Sequence, residues 1–155
     1  FIMTIIFKNF IYPLIVLFTI PFALAGGFVG LKLVNIFIAD TPFDIMTMLG
    51  FIMLIGMMVN NPILIIHQSI NNIKTLKMKY KDAVLDATTS RIRPIYMSVF
   101  TTIFGMLPLV IAPGAGSELY RGLGSVVLSG LFISTFFTIF VVPSILMFLI
   151  KKEQR

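Results

Sequence analysis

Four long stretches of this chain, residues 10–31, 45–66, 94–117 and 122–150, contain no Asp, Glu, Lys or Arg. No other feature restricts its folding so strongly. Each exceeds the ~20 residues that a helix needs to cross a hydrocarbon core. A helix apolar on every side must be covered by other protein or by lipid, and four of them in so short a chain leave too few residues for the first solution. The chain is 58% hydrophobic and 12% charged, against roughly 25% charged in ordinary globular domains, and its mean hydropathy is +1.04. The sequence therefore predicts an all-α, polytopic transmembrane helix bundle with complete spans at 10–31, 45–70, 94–112 and 122–150. Residues 1–7 are apolar but too short to span, and no charged region precedes them as in a signal peptide. They are read as the end of a fifth helix, which makes 1–155 one fragment of a transmembrane domain.

The charges predict how the bundle is threaded. Of the 12 Lys and Arg residues, all but Lys32 and Arg121 fall at Lys8, between 71 and 93, or in the tail beyond 150. Four alternating spans put these three groups on one face, and basic loops mark the cytoplasmic side. The expected location is the inner (plasma) membrane, with loop 71–93 and the C-terminal tail cytoplasmic. Within that loop, Leu76, Tyr80, Ala83, Val84 and Ala87 recur at helical spacing, which predicts an amphipathic interfacial helix over 74–91. On the other face, Asp40 or Thr41 is expected to cap a helix starting near Pro42. The net charge of +6 is confined to loops, so it fits membrane lipid as a partner and not nucleic acid. With no Cys and one His, neither a disulfide framework, a metal cluster nor a catalytic triad is expected. The chain reads as a non-enzyme without a cofactor.

Polar groups inside the spans are expensive and are the natural site candidates. Asn60 and Asn61 lie about 6 to 8 Å past the middle of the second span. Pro62 follows them and frees the carbonyl of Met58. Two readings are open for this notch, interhelical hydrogen bonding at a kink or ion coupling. His67 is on nearly the same face but close to the cytoplasmic end, where an interfacial imidazole is expected. Ser98, Thr101 and Thr102 sit one to two turns beyond Arg91, Arg93 and Pro94; hydroxyls can orient protons, yet they also bond to their own backbone. Gly26 and Gly30, with Ser125, Ser129, Gly130, Ser134 and Thr138, read as close helix contacts.

Three stretches resemble one known family. Gly56-Met57-Met58-Val59-Asn60-Asn61-Pro62-Ile63-Leu64 is similar to the tenth transmembrane helix of the resistance-nodulation-cell division (RND) transporters, in their multidrug branch. Residues 83–98, ending Arg91-Ile92-Arg93-Pro94-Ile95-Tyr96-Met97-Ser98, resemble the cytoplasmic helix leading into the eleventh. Gly105-Met106-Leu107-Pro108-Leu109, the run from Pro113 to Leu119, and the run from Ser134 to Pro143 complete the match in order. The resemblance implies that the four spans are helices nine to twelve of a proton-driven secondary transporter exporting hydrophobic or amphiphilic compounds. It also implies, as partners, the rest of the parent transporter, a homotrimer, a periplasmic adaptor, an outer-membrane channel and protons as the coupling ion. Carried over by position, the family's relay lysine corresponds to Asn60, its hydroxyl to Ser98 and its arginine to Arg91, with Asn61 beside them and Thr101 and Thr102 as secondary candidates. Asn60 departs from the family because an amide cannot change charge, and Pro62 departs where a small residue such as Ala is common. An RND-like protein- or lipid-export helper, or a non-transporting membrane scaffold subunit, is the alternative.

Overall fold

The computed structural model describes residues 2–7, 10–38, 40–112 and 114–153. Five helices follow in order: α1 (Ile2–Phe7), α2 (Ile11–Phe37), α3 (Ile45–Thr75), α4 (Tyr80–Ile111) and α5 (Ala115–Glu153). There is no strand among the described residues. Helices α2 to α5 each carry a segment long and apolar enough to cross a membrane, and the chain is a multi-pass membrane helix bundle. The 39 residues of α5 rise about 58 Å at 1.5 Å each, so its ends extend beyond a ~30 Å hydrocarbon core.

The bundle is organised around α5, which packs on α2, α3 and α4. Two apolar cores lie along it. One gathers Val16, Ile65, Ile66, Val84, Val142 and Leu146; the other gathers Ala23, Leu54, Met58, Val126 and Val127. Lipid is as apolar as these side chains, so burial alone does not drive helices together, and close backbone approach matters more. It is close between α2 and α5. A Cβ on Gly26 would lie 2.9 Å from Ile133 Cβ and 3.2 Å from Gly130 Cα, and one on Gly30 would lie 2.9 Å from the Ser125 carbonyl oxygen. Most buried hydroxyls serve their own helix: Thr19 donates to the Val16 carbonyl at 2.6 Å, Ser69 to Ile65 at 2.8 Å and Thr135 to Leu131 at 2.7 Å.

The helices run past the expected spans, α2 to Phe37, α3 to Thr75 and α5 from Ala115, and two further expectations are corrected. Residues 74–91 do not form a separate interfacial helix: Lys74 and Thr75 end α3, residues 76–79 turn, and α4 runs from Tyr80 through Pro94 without a break. Ala83, Val84 and Ala87 are fully buried, and Val84 belongs to the same core as Ile65 and Ile95. Packing on both sides of Pro94 thus holds the helix across the ~3 kcal/mol penalty of an interior proline. The cap of α3 is neither Asp40 nor Thr41 but Asp44, whose carboxylate accepts from the Thr47 N–H at 2.9 Å and from its hydroxyl at 2.9 Å. Thr41 turns back instead, donating its N–H to Asn35 Oδ1 at 2.9 Å. Lys8 and Arg155, which entered the charge count, lie outside the described residues.

Candidate functional site

Residues from three helices and both apolar cores meet around a cavity of about 190 Å³. Helix α3 contributes Met57, Asn60 and Asn61, α4 contributes Ser98, Val99 and Thr102, and α5 contributes Leu131. Val99 belongs to one core and Leu131 to the other, so the cavity lies where the two adjoin. A space of this size has room for several water molecules.

The local chemistry follows from the helices that build it. Asn60 is exposed and Asn61 half-buried, and among the described residues neither side-chain amide is in a hydrogen bond. Pro62, one residue on, is buried and has no N–H to return to the Met58 carbonyl. Across the cavity, Ser98 donates to the Ile95 carbonyl at 3.0 Å and Thr102 to the Ser98 carbonyl at 2.9 Å. Such back-bonding uses each hydroxyl's proton and leaves its oxygen able to accept. The wall therefore offers two amides, which donate and accept, facing two hydroxyl oxygens.

Of the residues singled out from sequence, Asn60, Asn61, Ser98 and Thr102 are brought together, and Arg91 and Thr101 are not part of the lining. Thr101 is exposed and bonds to the Met97 carbonyl at 2.8 Å. Arg91 lies two turns from Ser98, about 10 Å along the helix. It is half-buried, and its Nη2 donates to Gln68 Oε1 at 3.2 Å.

That contact opens a second polar group, which the sequence reading missed. Gln68 Nε2 donates to Asn72 Oδ1 at 3.1 Å. Asn72 Nδ2 in turn donates to Asp86 Oδ2 at 2.9 Å and the Ala83 carbonyl at 3.3 Å. Asn72 is 1% exposed, and its own carbonyl accepts the Leu76 N–H at 3.2 Å and the Met78 N–H at 3.4 Å. This clasp ties the end of α3 to the first turns of α4 and fixes the turn between them. Its sequence signal was Gln68 and Asn72 at i, i+4 on one face. His67, next to it, is exposed.

The chain is thus a polytopic membrane helix bundle with a part-polar cavity between α3, α4 and α5. The model of the AcrB/AcrD/AcrF family matches residues 1–150, and the chain belongs to that family, in agreement with the RND motifs. Among curated relatives it is 32% identical over 151 residues to the multidrug resistance protein MdtC of Proteus mirabilis, and 33% identical over 151 residues to MdtC of an Enterobacter species. Each match covers 97% of this chain and 14% of the relative, so the chain spans about one-seventh of these relatives' length. Among solved structures it is similar to a heavy metal efflux pump, with a TM-score of 0.79 and 31% identity over 97% of this chain and 14% of that one.

Proposed function

We propose that the chain is part of the membrane domain of a proton-driven efflux transporter that exports hydrophobic or amphiphilic compounds, and that Asn60, Asn61, Ser98 and Thr102 belong to its ion-coupling path. The observation that carries this reading is the gathering of two amides and two hydroxyls around one cavity with room for several waters, in a chain of this family. In a low-dielectric interior, amides and hydroxyls can hold a chain of waters and orient its hydrogen bonds. They cannot themselves take up a proton near neutral pH, so the titrating groups belong to the rest of the parent transporter. Arg91, held by Gln68, then acts as a fixed positive charge at the basic end of the path. A homotrimer with a periplasmic adaptor and an outer-membrane channel, in the inner membrane with the 76–79 turn on the cytoplasmic side, completes the proposal.

The test is accumulation of a fluorescent amphiphile in cells expressing the full-length protein, with and without an uncoupler. Accumulation low in energised cells and restored by the uncoupler is expected; export that persists after the gradient collapses overturns proton drive. A second reading, export of metal cations, is favoured by the likeness to a heavy metal efflux pump. Growth of the same cells on metal salts and on cationic dyes separates the two cargoes.

A further inference from the structure

The turn between α3 and α4 forms one wall of a larger concavity that the proposed coupling path does not use. It measures about 790 Å³, and its lining includes Lys77, Lys79, Lys81, Asp82, Met78 and Met147. We propose that it is a binding site for the phosphate headgroup of an anionic phospholipid.

Three observations converge on that ligand. First, the turn lies level with Met147, near the end of the uncharged run of α5 and four residues before Lys151, where a span passes into the headgroup layer. Second, three lysines against one acid leave a net positive wall, and among the described residues none of the three ammonium groups is in an ion pair. Basic clusters directly beside a span are attracted to anionic lipid. Third, Met78 and Met147 supply apolar surface next to the lysines, which suits a glycerol backbone and the first carbons of an acyl chain better than a free anion. The site is also preformed. Asn72 holds the turn through its carbonyl and its side chain, so binding need not order a loose loop. Lys77 adopts φ 51°, a left-handed conformation in which glycine would be unstrained.

That conformation supplies a clean variant, because Lys77→Gly removes a charge while suiting the backbone. The experiment labels the full-length transporter in mixed micelles with a photoreactive phosphatidylglycerol, then maps the labelled peptides. Labelling at 76–82 and around Met147 is expected, and at least about tenfold less in the triple variant Lys77→Gly, Lys79→Gln, Lys81→Gln, since each lysine near a surface is worth about fivefold in binding. The Lys→Arg triple should retain labelling, and Lys32→Gln, elsewhere in the bundle, should not change it. Unlabelled phosphatidylglycerol should compete on the unaltered protein, whatever the fate of the variants. Equal labelling by a phosphatidylcholine probe, labelling undiminished in the charge-removing triple, no label at the turn, or displacement by inorganic phosphate as effective as by lipid would each overturn the proposal. Binding is read without transport, so the result stands apart from the efflux reading.

Discussion

Asn60 and Ser98 come from different helices and line one cavity, yet neither side chain bonds to the other helix. If they served only to hold α3 to α4, such a bond would be expected. Replacing both with Ala in the full-length protein should therefore lower export per assembled complex on the order of tenfold, the loss of about one hydrogen bond's worth of barrier lowering. Efflux rate divided by membrane-inserted protein measures it; a scaffold subunit would show no change. Asp44 illustrates a purely structural polar residue. Hydrogen bonds from the Thr47 N–H, and then from its hydroxyl, hold the Asp44 carboxyl below its ordinary value. A lowered folded pKa means that its contribution to stability is present above the unfolded value and fades as pH falls through the folded one. Asp44→Asn keeps a cap of similar quality and should flatten that acid limb in thermal unfolding of the full-length protein at stepped pH.

Among the helices, the α2–α5 contact leaves little tolerance. A Cβ at Gly30 would meet the Ser125 carbonyl oxygen at 2.9 Å, besides Ser129, and a backbone oxygen cannot rotate aside. Gly30→Ala should cost about 1–3 kcal/mol, typical of overpacking, read as a lower melting temperature, with partial recovery when Ser129→Gly is added. The spans were legible because uncharged length is a strong signal, and the α2 and α5 small residues because their spacing is. The break expected around 91–94 was wrong for a reason that local sequence does not carry. Pro94 looks like a helix start, but burial of Ala83, Val84 and Ala87 against neighbours distant in sequence carries α4 through it. The cap of α3 was misplaced for the opposite reason: Asp40, Thr41 and Asp44 are all competent caps, and only the fold assigns Thr41 to Asn35. The notch residues were visible as polar groups in apolar surroundings. The Gln68, Asn72 and Asp86 clasp was not, because its partners span the turn between helices read as separate elements.

At the scale of the whole bundle, the threading proposed from charge makes one direct prediction. On a cysteine-free background, Leu76→Cys should react with an impermeant thiol reagent only after the cytoplasm is opened, and Asp40→Cys should react from outside in intact cells. The reverse pattern would invert the bundle. The exposed large side chains, such as Phe10 at 74% and Ile45 at 75%, suit contact with lipid or with further protein. The central position of α5 bears also on how such a chain is made. Helices α2, α3 and α4 leave the ribosome before the one helix on which all three pack, so during synthesis the glycine face of α2 must wait in the bilayer with its principal partner still untranslated. Assembly is thus gated by translation of the last of these helices, and a premature stop codon before α5 would leave the glycine face of α2 without its partner and open to membrane quality control.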